Sequence, residues 1–415
     1  MDGPELEGRA KLAGVFRVYV PLWLSGVALR LTVLAVPPVI PLIHLDLHLS
    51  ETGVGLLTAL PSLLFALAAV PGAALIARFG AVPTLVAGLM LTGLASALRG
   101  AATGAGLLYA TTFLMGVGIA IMQPALPRCV RDWLPDRIAF GTAVYSNGWL
   151  MGEILSVSLT IPYVLPLVHG SWRLSLAAWS LPVLLTSAVV AALAPASRGH
   201  APAGAARARL WWPEWRSPLL WRLGLILGCG NSVYFCTNFF LPDYLQHTGR
   251  AATIGTALTA LNLCQIPASL LLLAFAERLT RTRWPYLVCG LLSLASVLGF
   301  LLTPGGWIVA WSGLLGFSVS ALLILMLALP PLLSPLEDVH RVSAGMFVIS
   351  YSCAVVIPFV SGLVWDVTGV PASGFVPIAL CALGVVAFAL TLPLGAGSSM
   401  VRTSARESGR SPAEG

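Results

Sequence analysis

The sequence predicts an all-α integral membrane protein, with twelve transmembrane helices in two pseudo-symmetric six-helix bundles. Three observations carry this prediction. Of the 415 residues, 58% are hydrophobic and only 9% are charged, which is too little charge to coat the surface of a soluble fold of this size. The apolar residues gather in twelve stretches, each near the length of about 20 residues that a helix needs to cross a bilayer. One long polar segment divides the twelve stretches into two sets of six.

The first six stretches follow a polar N-terminus at 1–18 and form the N-terminal bundle, predicted at 19–194. Helices are predicted at 19–43, 52–77, 81–98, 105–127, 138–163 and 173–194. Helices are the structure that fits, because backbone exposed to lipid must satisfy its own hydrogen bonds, and the strict alternation of barrel strands is not seen. The first stretch is too long for the apolar region of a cleavable signal, so it is predicted to be a permanent span.

A polar segment at 195–217, rich in Pro, Gly, Ala and Arg, is predicted to be a cytoplasmic linker. Its tryptophans at 211, 212 and 215 stand beside arginines, and two interpretations are open: a segment lying at the headgroup level, or a loop that only touches the bilayer. The second six helices are predicted at 219–245, 252–276, 285–303, 307–333, 343–364 and 375–394, within a C-terminal bundle at 218–394. The Ser/Gly/Arg-rich tail at 395–415 is predicted to be disordered.

The distribution of basic residues predicts the orientation. With the N-terminus inside, nineteen of the 23 Lys and Arg fall in segments on the inner side. This bias is the positive-inside pattern of multi-pass proteins. It predicts an even number of spans in the plasma (inner) membrane, with both termini cytoplasmic.

The two halves resemble each other. ALIARFG (74–80) follows the second span, and AFAERLTRTR (274–283) follows the eighth, so short basic turns occupy the same ordinal position. Halves of this kind indicate a duplicated transporter with a site between them near the bilayer midplane.

Five stretches carry a resemblance to a known family. They are ALRLTVLAVPPVIPLI (28–43), LSETGVGLLTALPSLLFAL (49–67), SALRG (96–100), MQPALPRCVRDWLPDR (122–137) and WDVTG (365–369). In this order and spacing they resemble the major facilitator superfamily, in the branch that includes bacterial cyanate and nitroimidazole transporters. The resemblance implies the major facilitator fold and transport by alternating access. The chain departs from the family where Ala77 replaces the usual acid after the second helix, whereas Glu277 and Arg278 keep the pattern in the second half.

Two ionisable residues lie deep in the spans. Arg30 is about 17 Å into the first helix and Glu153 about 21 Å into the fifth, at 1.5 Å per residue. Both helices begin inside, so the two groups lie at a similar depth, and a buried charge of this kind lines a cavity or has a partner. In one interpretation Arg30 receives an anionic or strongly polar solute, and Glu153 is a proton-coupling or gating acid. In the other, the two residues form a structural ion pair.

Further polar and aromatic side chains share helix faces with these two residues or with each other. Such stripes either line a cavity for a small polar or aromatic solute or form hydrogen bonds between helices. The predicted lining set is Tyr145, Trp149, Gln123, Asn231, Tyr234, Phe235, Asn238, Asn262, Gln265, Phe347 and Tyr351.

The basic turns predict a cytoplasmic gate formed by Arg78, Glu277, Arg278 and Arg281, with a solvated loop as the alternative. Arg99, near the outer end of the third helix, fits either a family position or a side chain that extends to the outer interface. His44, Asp46 and His48 lie on a short connection, and no metal site or other cofactor is predicted. The chain has no P-loop, and its basic residues form no nucleic-acid-binding stripe.

The predicted function is secondary active transport of a small polar or anionic solute by rocking of the two bundles, in a protein expected to be a monomer. Proton coupling is the commoner expectation that the resemblance implies, and Glu153 is the carboxylate available within the predicted spans. The alternative is an efflux carrier for small aromatic or heterocyclic, nitroimidazole-like compounds. A receptor or a membrane-embedded enzyme is a more distant alternative, because the spans hold no catalytic pair besides Arg30 and Glu153.

Overall fold

The computed structural model describes residues 3–49, 51–195 and 211–394, and nearly all of them are helical. Eleven helices in these ranges are long and apolar enough to cross a membrane, and the second helix adds a shorter apolar stretch at Leu63–Phe79. The predicted fold class is confirmed. The helices of the first half are α1 Gly3–Leu34, α2 Glu51–Phe79, α3 Ala81–Arg99, α4 Ala105–Met122 with its continuation Ala125–Trp133, α5 Ile138–Leu159 and α6 Trp172–Leu193.

The second half repeats the series. Its helices are α7 Pro218–His247, α8 Ile254–Leu263 with its continuation Gln265–Leu279, α9 Trp284–Leu302, α10 Trp307–Leu333, α11 Val339–Thr368 and α12 Val376–Leu390. We call the side on which the odd-numbered helices begin the inner face; it is the side predicted to be cytoplasmic.

The breaks within the helices occur at prolines. Pro124 separates the two parts of α4, and Pro267 follows the break at Cys264 in α8. A proline has no N–H for the carbonyl four residues earlier and its ring clashes with that carbonyl, so the regular bonding is interrupted there. The end of α5 widens into a π-helical turn at Thr160–Val164, which contains Pro162. The first helix begins at Gly3, well before the predicted start of the span at 19.

Helix packing repeats between the halves. In the first half α1 packs against α5 and α6, α2 against α4, and α3 against α4 and α6. The equivalent helices of the second half, whose numbers are six higher, make the same contacts. There α7 packs against α11 and α12, α8 against α10, and α9 against α10 and α12. Between the halves, α2 contacts α11 and its counterpart α8 contacts α5. Each half is thus a six-helix bundle, and two equivalent seams join them.

Parts of the predicted domain division lie outside the described residues. These parts are Met1, Asp2, Ser50, residues 196–210 of the predicted linker, and the whole tail at 395–415. At the described end of the linker, the rings of Trp211 and Trp212 lie 5.4 Å apart, and both side chains are exposed. Both interpretations of this aromatic segment stay open, and the domain boundaries stay predictions.

Arg99 holds the outer end of α1. Its side chain is 0% exposed, and Nη2 donates to the carbonyl of Thr32 and to Ser96 Oγ, both at 2.8 Å. The regular donor to that carbonyl is the amide of Val36, which bonds Val33 instead because the chain turns ahead of two prolines. Arg99 therefore replaces a lost backbone donor, and it does not extend to the outer interface.

Candidate functional site

A partly enclosed cavity lies between the two bundles, with walls from α1, α5, α7, α8, α10 and α11. Nine of the thirteen predicted lining residues line it. The full lining is Arg30, Trp149, Leu150, Glu153, Asn231, Tyr234, Phe235, Gln265, Val319, Ser320, Leu323, Phe347 and Tyr351. The deep charges, the polar-aromatic stripe of α7 and the pair on α11 thus face one space.

Three glycines bring Arg30 and Glu153 to the same wall. A Cβ added to Gly26 would lie 2.0 Å from the carbonyl oxygen of Tyr145, and one on Gly148 2.2 Å from that of Trp23. One on Gly152 would lie 2.2 Å from that of Val27. The backbones of α1 and α5 are therefore in direct contact, as small residues allow in membrane helices. Arg30 follows Gly26 by one turn and Glu153 follows Gly152 directly, so this crossing places both beside the cavity.

The Arg30 guanidinium lies on an aromatic surface. Its central carbon is 4.5 Å from the ring centroid of Trp149 and 5.9 Å from that of Phe65, distances at which a cation is attracted to a ring. Its buried Nε has no hydrogen-bond partner among the described residues. In the described part of the chain, Arg30 and Glu153 form no ion pair, since no guanidinium nitrogen lies within 4.0 Å of a carboxylate oxygen of Glu153. The guanidinium thus keeps hydrogen-bonding capacity at the cavity.

Glu153 joins a hydrogen-bond network that crosses between the halves. Its Oε1 lies 3.3 Å from the hydroxyl of Tyr234 on α7. That hydroxyl lies 2.6 Å from Asn262 Oδ1, and Gln265 Nε2 reaches it at 3.4 Å. An α5 carboxyl group is therefore linked through one tyrosine to both sides of the break in α8.

Four predicted residues lie away from the cavity. Gln123 stands behind its wall and donates to Tyr351 Oη at 3.0 Å, while Asn238 and Asn262 bond each other and Tyr234.

Tyr145 is buried, and its hydroxyl has no hydrogen-bond partner among the described residues. A spacing of eight residues turns a helix about 80° past two full turns. That rotation separates Tyr145 from the face of Glu153.

Sequence reasoning missed the wall formed by α10. Val319, Ser320 and Leu323 face the cavity, but they carry no charge or amide that would distinguish them in an apolar helix. Asn147 was also outside the predicted set. It accepts a bond from Trp23 Nε1 at 3.0 Å and donates to Ser269 Oγ at 3.1 Å, so it joins the two halves between the cavity and the inner face.

Side chains close the inner face across the two bundles. Glu277 Oε1 accepts the backbone N–H of Phe140 at 3.0 Å, in the first turn of α5 where amides lack partners within the helix. Two arginines on the continuation of α4 also reach the other half. Arg128 donates to the carbonyl of Leu336, just beyond α10, and Arg131 donates to that of Pro331, near the end of α10. These two arginines are not among the predicted gate residues.

The other predicted gate residues are exposed at the inner face. Arg278 and Arg281 are exposed, and Arg78 is exposed and stacks on its neighbour Phe79, with its guanidinium carbon 5.2 Å from the ring centroid. Only one half supplies an acid for this contact, since Ala77 stands where the family usually has one.

Replacing Glu277 with alanine is expected to loosen the inner closure. The carboxylate satisfies an orphan amide and complements the positive end of the α5 dipole, together worth about 1–2 kcal/mol. Hydrogen–deuterium exchange in residues 138–142 should therefore become about tenfold faster. Glu337→Ala, which removes an exposed acid of the same face, is the control. Equal exchange in the two variants would contradict the gating role.

Comparison with known proteins agrees with this architecture. The Major Facilitator Superfamily matches residues 22–250, more than half of the chain. The chain is 28% identical to the 2-nitroimidazole transporter of Escherichia coli K12 over 370 residues, covering 87% of this chain and 91% of that protein. It is 26% identical to the cyanate transport protein CynX of the same organism over 375 residues, covering 89% and 95%.

A third relative and two solved structures extend the comparison. An uncharacterized transporter of Bacillus subtilis, YycB, is 25% identical over 343 residues, covering 82% of this chain and 84% of that protein. Among solved structures, the E. coli fucose transporter FucP in the outward conformation has a TM-score of 0.70 at 16% identity, covering 90% and 98% of the two chains. The proton:xylose symporter XylE has a TM-score of 0.70 at 13% identity, covering 91% and 94%. The matched family, its transporter relatives and the repeated helix packing agree, and the chain belongs to the Major Facilitator Superfamily.

Proposed function

We propose that this protein is a secondary active transporter of a small, flat, anionic or strongly polar solute, bound at Arg30 and carried by alternating access. The observation that carries the proposal is the Arg30 guanidinium, which lies on Trp149 at the boundary of the two bundles and whose buried Nε has no hydrogen-bond partner among the described residues. A guanidinium offers a planar fork of donors to an acceptor group, and its place between the halves suits release on either side.

The relatives support a small conjugated solute. One is named for cyanate and another for 2-nitroimidazole; the first compound is a small linear anion, the second is a flat ring, and both carry oxygen or nitrogen acceptors. In this chain a cation and amide donors would meet the acceptors, and the rings of Trp149, Phe235 and Phe347 would lie against the flat faces. We propose that the protein acts as a monomer in the plasma membrane, with both termini cytoplasmic and with Glu153 as the proton-coupling acid.

A second candidate function is efflux of small aromatic or heterocyclic compounds. The aromatic share of the lining favours it, because a neutral ring can bind there without an anionic group. The two candidates differ in whether binding needs the Arg30 charge. They also differ in the direction of net transport under a proton gradient.

Counterflow in proteoliposomes tests the proposal. Vesicles loaded with unlabelled cyanate or 2-nitroimidazole should take up the labelled compound, and the recovered compound should be chemically unchanged. An imposed inward proton gradient should drive accumulation above equilibrium in wild type, and Glu153→Gln should lose that accumulation while it keeps counterflow. Absence of counterflow for both compounds and for a panel of small anions would refute transport of this class, and product formation would favour an enzyme.

A further inference from the structure

We propose that Tyr234 is a positioning residue that senses the protonation state of Glu153 and transmits it to the break in α8. The inference rests on the proposed function only in that Glu153 is taken to exchange a proton. It names the element that responds to that proton. Its basis is the count of hydrogen atoms in the network around the Tyr234 hydroxyl.

The orientation of Asn262 is determined by its backbone neighbour. Its Nδ2 donates to the carbonyl of Leu258 at 2.9 Å, so its Oδ1 faces Tyr234 as an acceptor. The 2.6 Å separation between Asn262 Oδ1 and the Tyr234 hydroxyl is the shortest contact in the network, and it uses the single hydrogen of that hydroxyl. Gln265 Nε2 donates to the same hydroxyl oxygen at 3.4 Å.

The hydroxyl therefore has no hydrogen left for Glu153. Its oxygen lies 3.3 Å from Glu153 Oε1, and an ionised carboxylate has no hydrogen to place between the two oxygens. The observed arrangement is complete when Oε1 carries a proton and donates it to the tyrosine oxygen. The structure thus corresponds to a protonated Glu153, with the Tyr234 hydroxyl donating its hydrogen to Asn262 of α8.

When Glu153 loses its proton, the Tyr234 hydroxyl changes its hydrogen-bond acceptor. A carboxylate is a stronger acceptor than an amide oxygen, so the Tyr234 hydrogen turns toward Glu153 Oε1. Asn262 Oδ1 then keeps only the weak contact from Gln265 Nε2 at 3.3 Å. The proton itself passes between solvent and Glu153 Oε1, and the tyrosine neither gains nor loses one.

The break in α8 is where this change has its effect. Asn262 and Gln265 stand on either side of Cys264, at the point where Pro267 interrupts the helix. The first part of α8 packs tightly on α10, since a Cβ on Gly316 would lie 1.9 Å from the carbonyl oxygen of Leu261. The second part contacts α5 of the other bundle. A hydrogen bond gained or lost at the break therefore acts between a segment held in one half and a segment touching the other.

The remaining groups around Glu153 leave it as the titrating member. Arg30 on α1 is the cation that faces it from the same cavity. Tyr351 on α11 and Tyr234 on α7 are the phenols of the cavity, while α8 and α10 contribute the neutral Gln265 and Ser320.

Alkylation of Cys264 by N-ethylmaleimide tests the link without any transported solute. The reporter protein keeps Cys264 and has the other six cysteines replaced by serine. We divide the alkylation rate of this reporter by the rate of the same protein carrying Glu153→Gln. From acid to alkaline pH this ratio should rise about fivefold, because one hydrogen bond contributes about 1 kcal/mol. The ratio cancels the ordinary pH dependence of the thiol. Tyr234→Phe should remove this rise, and Tyr244→Phe should keep it, because Tyr244 is a buried tyrosine of the same helix that bonds the carbonyl of Phe300 instead.

A second measurement uses the native cysteines. Proton-driven accumulation of cyanate or 2-nitroimidazole, expressed relative to the counterflow rate of the same variant, should be lost in Tyr234→Phe and kept in Tyr244→Phe. A rise in Cys264 reactivity that survives in Tyr234→Phe, or accumulation that survives there, would overturn the inference. If counterflow is absent even in wild type while the Tyr234-dependent alkylation persists, the transport proposal fails and the link stands.

Discussion

Replacing Arg30 with alanine is expected to lower transport of the cavity's solute by about two orders of magnitude. Hydrogen bonds to a charged group contribute about 1.5–3 kcal/mol each, and a loss of 2.7 kcal/mol is about a hundredfold in affinity. The guanidinium lies on Trp149 and forms no ion pair with Glu153 in the described structure. Its removal therefore takes away the proposed binding group without breaking an ion pair of the described structure. The measurement is initial-rate counterflow in proteoliposomes containing equal amounts of protein.

Two further variants separate charge from shape at this position. Arg30→Lys keeps the charge but loses the planar fork, so it should recover part of the transport. Arg216→Ala removes an exposed arginine near the start of α7 and should transport like wild type. Normal transport by Arg30→Ala, in protein that reaches the membrane and elutes as a single species, would rule out Arg30 as the binding group. If Arg30→Ala transports 2-nitroimidazole normally but loses cyanate transport, the efflux alternative for aromatic compounds is favoured.

Replacing Gly152 with alanine is expected to destabilise the N-terminal bundle and to disturb the site at once. The new Cβ would lie 2.2 Å from the carbonyl oxygen and 3.0 Å from the Cα of Val27. Those atoms belong to backbone and cannot rotate away, so α1 and α5 must separate. Overpacking of this kind costs about 1–3 kcal/mol. The apparent melting temperature of detergent-purified protein should fall, and transport should fall further because Arg30 moves away from the cavity wall.

A glycine in open space provides the matched control. Gly106 lies in the first turn of α4, with nothing within 4 Å of an added Cβ. Gly106→Ala restricts the unfolded chain in the same way without a clash, so its melting temperature should equal or exceed that of wild type. Equal melting temperatures for the two alanine variants would show that the α1–α5 crossing is not as close as the structure has it.

Much of the candidate site could be predicted because its strongest members are rare in this sequence. Arg30 and Glu153 differ from their apolar surroundings, and their depth follows from counting residues along helices that begin on the same side. The α7 stripe of Asn231, Tyr234 and Phe235 follows from helical spacing, and all three line the cavity. Tyr145 marks the limit of this reasoning, because eight residues turn a helix about 80° past two full turns and so point Tyr145 away from the direction of Glu153.

The sequence by itself determined the solvent of this protein, the number and order of its spans and the repeat between its halves. Hydropathy, charge placement and helical rise are local properties of the chain. The tertiary structure decided which groups meet: that Arg30 lies on Trp149 and not on Glu153, that Ser320 of α10 forms a wall, and that Glu277 binds the backbone amide of Phe140. Such contacts depend on how helices far apart in sequence rotate and approach, and glycine crossings and backbone donors leave no side-chain pattern that would reveal them.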